Sequence, residues 1–360
     1  MRPSHVRAVL ERELAAAADG IHTPVMLWGP PGVGKSRIAA AVAEHHGVPL
    51  VDIRLSQMEP TDLRGIPYRQ GDRVLWSVPA LLPDRERHGP RGILFLDEIT
   101  SAPPTVTAAA YQLILDRRLG EYAVPPGWAL FAAGNRHGDR GMSYVMPAPL
   151  ANRFTHYEIE PQLDDWVQWA HDAGIDPRII AFLRFRPDLL FQFDSARASA
   201  AFPSPRSWEY ADRALRKFRD CPQLMLDALQ ACVGAAAGIE LTAFIEHMSA
   251  MPDIEAIATG RCADVPLGLD LQYGVAAALV RRAQAACASG DADAVVGNIL
   301  RYARELPQRE LGVMLVTDLH RSIGKPLYAL PEFAEWAHSV SDLLLHEPDG
   351  GGSAGASAQL

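Results

Sequence analysis

The pattern of hydrophobic and polar positions divides the chain into two parts. Up to residue 161, short apolar runs alternate with segments of helical periodicity, such as 4–18 and 36–46. Apolar runs of four to eight residues without polar interruption are typical of strands covered on both faces of a parallel sheet. Their alternation with helices predicts an α/β fold. The predicted strands are VMLW at 25–28, VPLVDIRL at 48–55, ILFLD at 93–97, WALFAAGN at 128–135 and FTHYEIE at 154–160.

Beyond Pro161 the pattern changes to helical periodicity alone, which predicts an all-α region. Its helical segments are 164–173, 207–219, 223–237, 268–288, 292–305 and 310–322. The chain ends in a Gly- and Ser-rich stretch, 347–360, which we expect to be a flexible tail. Because 360 residues exceed what one hydrophobic core usually serves, two domains are expected, with the division near residue 161.

A hairpin is predicted at 66–76, inside the α/β part. The turn pair Gly71-Asp72 separates two short β-prone arms, one carrying Tyr68 and the other Trp76. Two interpretations of these aromatic side chains stay open: they grip a substrate or partner from an exposed element, or they pack against the sheet.

Composition narrows the class of partner and the compartment. The chain has 34 basic and 43 acidic residues, a net charge of −9, and no run of Lys or Arg, so a nucleic-acid partner is disfavoured. The four cysteines form no CxxC pair, which favours free thiols in a reducing compartment. There is no signal-peptide pattern and no apolar stretch long enough to span a membrane. We therefore expect a cytoplasmic protein without a membrane partner.

A phosphate-binding loop follows the first predicted strand. The segment fits GxxxxGK[ST] and leads directly into a helix, the context that this motif requires. Only three of the 34 basic residues are lysines, so a lysine at this position is informative. Lys35 would bridge the β- and γ-phosphates of ATP, and the Ser36 hydroxyl would ligate Mg²⁺. The predicted nucleotide-binding residues are Gly29, Pro30, Pro31, Gly32, Val33, Gly34, Lys35, Ser36 and Arg37.

Polar side chains follow two of the later strands and complete the predicted site. Asp97 ends the strand ILFLD, where it can hold Mg²⁺, and Glu98 would polarise the attacking water. A solvated turn is the alternative for this acidic pair. Asn135 ends WALFAAGN and would bond the γ-phosphate or the water; the alternative is a turn-forming Asn. The predicted catalytic residues so far are Lys35, Glu98 and Asn135.

Together these pieces resemble the AAA+ ATPases, and more narrowly the MoxR-like group. The resemblance rests on the phosphate loop, the two strands ending in Asp97-Glu98 and Asn135, the hairpin, PAPLANRF at 147–154 and PSPRSW at 203–208. It covers residues 1–235. It implies a parallel-sheet nucleotide-binding core at 1–161 and a helical lid at 162–235. Helical periodicity predicts additional C-terminal helices at 236–346, a region of open role that the resemblance does not cover.

Further site residues are implied by the same resemblance. AAA+ proteins work as rings, usually hexamers, and Arg153 in LANRF corresponds to the finger that completes the site of the neighbouring subunit; Arg136 and Arg140 compete for this role. Arg206, in PSPRSW, would be a lid residue that touches the γ-phosphate, with an ordinary surface arginine as the alternative.

The function implied by the resemblance is remodelling, metal insertion or activation of a client protein, driven by Mg²⁺-dependent ATP hydrolysis and assisted by a von Willebrand factor A domain partner. Two other functions remain open from the sequence. One is a nucleic-acid motor of the helicase type, against which the net charge of −9 weighs. The other is a nucleotide-gated scaffold with little turnover, against which the Asp97-Glu98 pair weighs.

Overall fold

The computed structural model describes residues 1–136, 139, 144–193, 200–289, 292–324 and 327–341. Contacts divide it into two compact units, the first formed by residues 1–166 and 188–235, the second by residues 167–187 and the described residues from 236 onward. The division differs from a continuous lid at 162–235, because residues 167–187 group with the C-terminal helices. The helix in this segment is buried along most of its length and packs against a helix of the second unit.

The strands of the described residues all lie in the first unit, and they include the five predicted strands and the two arms of the predicted hairpin. They are β1 (Val25–Trp28), β2 (Leu50–Arg54), β3 (Pro67–Gln70), β4 (Arg73–Trp76), β5 (Gly92–Asp97), β6 (Arg118–Leu119), β7 (Tyr122–Ala123), β8 (Trp128–Gly134) and β9 (Thr155–Glu158).

The described chain also contains sixteen α-helices. They are α1 (Pro3–Ala18), α2 (Lys35–His45), α3 (Pro60–Arg64), α4 (Arg85–His88), α5 (Pro104–Asp116), α6 (Ala148–Ala151), α7 (Leu163–Asp172), α8 (Pro177–Phe185), α9 (Pro205–Lys217), α10 (Pro222–Val233), α11 (Ala235–His247), α12 (Ile254–Ala258), α13 (Leu269–Ser289), α14 (Ala292–Glu305), α15 (Arg309–Ile323) and α16 (Pro331–Ser339). Short 3₁₀ helices occupy Leu55–Gln57, Pro187–Leu190, Met248–Ala250 and Leu327–Ala329.

Five strands form one parallel sheet in the order β2-β5-β8-β1-β9. Its two faces are covered by separate apolar clusters. In β5, Ile93 and Phe95 belong to the cluster that includes α1 and α2, whereas Leu94 and Leu96 belong to the cluster that includes α5. Both kinds of position are buried, which explains the unbroken apolar runs. The predicted α/β fold is confirmed.

The sheet order brings three loops together. Parallel neighbours β5, β8 and β1 all end at the same edge, and ligands of open α/β sheets bind there. The phosphate loop follows β1, Asp97 ends β5, and Asn135 follows β8. The sequence-predicted residues therefore meet at one edge of the sheet.

The hairpin is present as β3 and β4, paired from Pro67↔Trp76 to Gln70↔Arg73. Gly71 at the turn has a φ of +63°, which a residue with a Cβ rarely adopts. Tyr68 is 48% exposed and Trp76 is 37% exposed. The two aromatic side chains thus lie at the surface of the first unit and are not part of its core.

The second unit is helical throughout its described residues. One apolar cluster of this unit is drawn from α12 to α16 and the segments between them, including Val275, Leu300 and Trp336, and α8 and α11 contribute further buried apolar residues. Arg184 of α8 donates from Nη2 to Asp318 Oδ2 of α15 at 2.5 Å, and both side chains are buried. Among the described residues of both units, no helix combines the length and the apolarity needed to cross a membrane.

Candidate functional site

The phosphate loop closes against the first turn of α9. Gly32 has a φ of +86° and Gly34 one of +96°, so both positions favour glycine. A Cβ on Gly32 would lie only 2.9 Å from Ser204 Oγ, which leaves no room for a side chain. Gly34 also directly precedes α2 and has no side chain to cap it. The N–H groups of the first turn of α2 therefore face the space where a phosphate can bind.

Lys35 joins the loop to the end of β8. Its Nζ donates to Gly29 O at 2.6 Å, to Pro30 O at 3.2 Å and to Asn135 Oδ1 at 3.0 Å. Burial lowers the pKa of the Lys35 ammonium to about 8; Asp97 and Asp139 oppose this shift, while Arg206 and Arg136 add to it. The ammonium is thus surrounded by acceptors, but it lacks a full counter-charge. A bound polyphosphate would supply one.

Nucleotide affinity is expected to fall as pH rises above 8. Phosphates favour the charged ammonium and raise its pKa in the complex, so the free protein loses this proton at lower pH than the complex does. Each pH unit above 8 then weakens binding by up to about tenfold, with net proton uptake on binding. Isothermal titration calorimetry with ADP at pH 7 to 9.5, in buffers of different ionisation enthalpy, measures both effects.

The control for this titration is Lys35→Arg, because a guanidinium keeps its proton over the whole range. The variant should show no decline in affinity above pH 8 and no linked proton uptake, whatever its absolute affinity. An identical pH dependence in Lys35→Arg would show that another group titrates.

Ser36 and Asp97 provide the oxygen ligands that Mg²⁺ prefers. Ser36 Oγ donates to Asp97 Oδ2 at 2.6 Å, and Asp97 is only 9% exposed. Adjacent ligands of an octahedral Mg²⁺ lie about 3 Å apart, close to this separation. The other carboxylate oxygen, Asp97 Oδ1, accepts the backbone N–H of Glu98 at 2.8 Å, which holds the carboxylate in place. The residues present fit a magnesium ion.

Glu98 has an unusual backbone conformation. Its φ is +57°, and among the described non-glycine residues only Arg117 shares the left-handed region. Such a conformation costs roughly 1–2 kcal/mol and is retained only where the surroundings enforce it. The Glu98 side chain is exposed, and its Oε2 accepts a hydrogen bond from Ser56 Oγ, in the 3₁₀ helix after β2. The turn presents the carboxylate at the edge of the sheet, with Ser56 orienting it.

Two residues near this carboxylate are absent from the sequence prediction. Asp52 lies within β2, the strand next to β5 in the sheet, and Ser56 lies in the 3₁₀ helix that follows β2. Partial burial raises the pKa of Asp52, and the nearby charges of Asp97 and Glu98 raise it further. The sequence signal was limited to their place within, or directly after, a predicted strand. Which strand lies beside β5 cannot be read from the sequence.

Asn135 is held by a buried threonine. Its backbone N–H donates to Thr100 Oγ1 at 3.1 Å, and Thr100 is 3% exposed. A Cβ on Gly134 would lie 2.7 Å from Thr100 Cγ2, so this close packing requires glycine. Asn135 Oδ1 is therefore fixed beside Lys35 Nζ, and the Thr100 contact is a further feature that the sequence did not indicate.

The start of α9 brings Arg206 to the phosphate loop. Ser204 caps the helix by accepting the N–H of Ser207 at 3.2 Å, which places Arg206 in the first turn. Arg206 is exposed, and its charge is near enough to Lys35 to help lower the lysine pKa. Arg37 turns toward α9, where its Nη1 donates to Glu209 Oε2 at 2.9 Å. The structure therefore brings Arg206 to the site and gives Arg37 an ion-pair partner on α9.

Arg153 lies between α6 and β9, the strand that pairs with β1 on the side opposite β8. Its side chain is exposed, and no partner for its guanidinium lies within the described part of the chain. Its turn is anchored by His156, whose Nε2 donates to Ala151 O at 2.8 Å while its Nδ1 accepts from Trp28 Nε1 at 2.9 Å. A fixed turn with an unengaged cation suits a residue that acts on another molecule.

Arg136 and Arg140 are the other two candidates for the finger role. Arg136 donates from Nη1 to Glu158 Oε1 at 2.6 Å and lies 3.5 Å from Asp139 Oδ2, so it is engaged within its own unit. These carboxylates raise the pKa of its guanidinium, the Glu158 hydrogen bond most. Arg140 lies outside the described residues. The assignment of a finger to Arg153 stays a prediction.

Comparison with known proteins finds a family that matches part of the chain. Residues 24–154 match the AAA domain, dynein-related subfamily. The protein NorQ of Paracoccus denitrificans is 33% identical over 173 residues, which cover 45% of this chain and 62% of NorQ. Midasin of Giardia intestinalis is 31% identical over 165 residues, covering 42% of this chain and 3% of midasin.

Other similarities extend further along the chain at lower identity. RuvB of Streptococcus agalactiae, a subunit of the Holliday junction branch migration complex, is 27% identical over 234 residues, covering 60% of this chain and 59% of RuvB. Thus the chain spans less than two thirds of each of these relatives. A solved structure of a Thermotoga maritima RuvB variant covers 77% of this chain and is itself 82% covered, with 18% identity and a TM-score of 0.36.

Proposed function

We propose, from the premise that residues 24–154 form an AAA domain of the dynein-related subfamily, that this chain hydrolyses ATP with Mg²⁺ and uses the energy to remodel a partner protein. One observation carries the proposal. Lys35 Nζ lies 3.0 Å from Asn135 Oδ1, and in the next residue Ser36 Oγ lies 2.6 Å from Asp97 Oδ2. Groups that phosphoryl transfer requires, located at the ends of three strands, therefore form one network.

Each group of the network has a definite task. Lys35 and the N–H groups of the loop hold the phosphates, and Ser36 with Asp97 holds Mg²⁺, which supplies charge neutralisation when bound. Glu98, presented by its left-handed turn, accepts a proton from the attacking water. Asn135 and Arg206 would contact the γ-phosphate of a bound ATP.

Lys35→Ala is expected to abolish ATP turnover and to weaken nucleotide binding, because the variant loses the side-chain cation that is bonded to the loop carbonyls. Phosphate release by the purified full-length chain, in the presence of Mg²⁺, is the measurement. Lys217→Ala, which removes an exposed lysine of α9, is the matched control and should turn over like the unaltered chain. Undiminished phosphate release by Lys35→Ala would overturn the proposed function.

The assembly and the partners are part of the same proposal. The resemblance to MoxR-like ATPases supports a homo-oligomeric, hexameric ring in which Arg153 reaches the site of a neighbour, and a von Willebrand factor A domain protein as partner in metal insertion or activation of a client. The unengaged guanidinium of Arg153 fits this arrangement. The four free cysteines fit a cytoplasmic location.

A nucleic-acid motor is the second candidate, because RuvB resembles 60% of this chain. The net charge of −9 argues for a protein client instead. The assay above separates the two: stimulation of phosphate release by duplex DNA, falling steeply with salt, would favour the motor. A nucleotide-gated scaffold would bind ATP and release little phosphate with or without a candidate partner, and the presence of Glu98 argues against it.

A further inference from the structure

A second group of metal-ligating side chains lies outside the nucleotide site, where α1 meets α2. It consists of Glu11 on α1, His45 at the end of α2 and His46 directly after it. Each contributes one ligand atom, and the three atoms all lie within 4.8 Å of one another. We propose that these side chains bind a divalent transition-metal ion of the zinc class, distinct from the Mg²⁺ of the ATP site.

The local structure explains why the three side chains converge. α1 packs directly on α2. α2 ends at His45, since Gly47 turns the chain away with a φ of +59°. The last carbonyls of a helix carry partial negative charge, which favours a cation at this end. His45 and His46 are exposed and Glu11 is half-buried, so an ion can enter from solvent.

The carboxylate is already oriented as in many metal sites. One oxygen of Glu11, Oε1, accepts a hydrogen bond from Arg7 Nε at 2.9 Å. A carboxylate oxygen of Glu11 also lies within 4.8 Å of both histidine ligand atoms, with Arg7 as its outer partner. Such an outer partner fixes the direction of a ligating carboxylate and reduces the freedom lost on binding. Arg7 therefore acts as a positioning residue for this site.

The ligand chemistry selects the class of ion. Two imidazoles with one carboxylate suit Zn²⁺, Co²⁺ or Ni²⁺, whereas Mg²⁺ and Ca²⁺ prefer oxygen ligands alone. Ligand atoms of a tetrahedral zinc site lie about 3.4 Å apart, so the three must approach by roughly 1 Å. The two imidazole rings stand 5.2 Å apart at 86°, and as exposed side chains they can rotate this far without moving the helices. Water would complete the coordination.

The ion would act as a clamp between two helices of the first unit. α2 begins with Lys35 and Ser36 and ends at the metal cluster, so the ion would tie the far end of the nucleotide-binding helix to α1. Because binding to the folded chain alone stabilises it, Zn²⁺ should raise the midpoint of thermal unfolding in a concentration-dependent way.

The test is calorimetric titration of Zn²⁺ into the full chain, produced without a histidine tag and without nucleotide. Excess Mg²⁺ saturates the oxygen site, and a Cys287→Ser background removes the exposed thiol as a competing ligand. One ion per chain is expected. His45→Ala and His46→Ala should each weaken binding by about tenfold or more, and Glu11→Gln by a smaller factor. Co²⁺ should give the visible absorption of a four-coordinate site.

His5→Ala is the matched control, since it removes an exposed histidine of α1 that is not in the cluster. It should bind Zn²⁺ like its parent, and circular dichroism checks that every variant folds. The proposal is overturned if the His45→Ala/His46→Ala double variant binds with unchanged affinity, or if the parent chain shows no stoichiometric binding. Both outcomes are independent of ATP turnover, so failure here leaves the proposed ATPase function untouched.

Discussion

Glu98→Gln is expected to leave ATP bound and uncleaved. The amide has the shape of the carboxylate, and its oxygen can still accept a hydrogen bond from Ser56 Oγ, but it cannot accept a proton from water at neutral pH. General-base catalysis contributes about 10²- to 10⁴-fold, so turnover should fall at least about 100-fold while nucleotide affinity stays within a few fold. Phosphate release and calorimetric affinity for ATP, measured on the same preparation, give both quantities.

Glutamine is the informative replacement because of the backbone. Residue 98 has a φ of +57°, so glycine would relax the turn and a β-branched residue would strain it. Gln removes the proton acceptor and leaves the conformational preference of the backbone at residue 98 nearly unchanged. Glu121→Gln, at an exposed turn between β6 and β7, is the matched control and should retain full turnover. Normal phosphate release by Glu98→Gln would require another base, for which Asp52 is a candidate because its pKa is raised by partial burial and by the nearby charges of Asp97 and Glu98.

Arg153→Ala is expected to bind ATP normally and to hydrolyse it very slowly. The guanidinium has no partner within the described part of its own chain, so its loss should not disturb the fold. In related phosphoryl-transfer systems an arginine supplied by a neighbour contributes on the order of 10³ to 10⁵ in rate. Single-turnover phosphate release and nucleotide affinity separate this catalytic loss from a binding loss.

Mixing variants tests whether Arg153 acts on a neighbouring subunit. If the proposed ring forms, a mixture of Arg153→Ala and Lys35→Ala subunits includes sites with an intact phosphate loop from one subunit and an intact Arg153 from the other. Turnover should therefore reappear in the mixture, with a maximum at intermediate ratios. Arg136→Ala is the comparison, because its ion pairs with Glu158 and Asp139 lie within one chain. If no ratio restores turnover, Arg153 does not act in trans and Arg136 or Arg140 becomes the finger.

Much of the first unit could be predicted from local pattern. Unbroken apolar runs predicted the three central strands β1, β5 and β8, since a strand buried on both faces needs no polar alternation, and the β-prone segments 48–55 and 154–160 predicted the outer two. The motif at 29–36 between strand and helix predicted the phosphate loop. The match of residues 24–154 to the AAA domain, together with the similarity to NorQ, confirms the predicted resemblance to AAA+ ATPases of the MoxR-like group. These features depend on neighbours within about ten residues of one another.

Other features were decided only by the tertiary structure. The order β2-β5-β8-β1-β9 brings Ser56 and Asp52 to Glu98, although more than 40 residues separate them in the chain. Residues 167–187 belong to the second unit and not to the predicted lid, because their apolar face packs against a helix beyond residue 236. Glu11 meets His45 and His46 only because α1 packs on α2. Periodicity reports which face of an element is buried, whereas the choice of partner for that face depends on packing between distant segments.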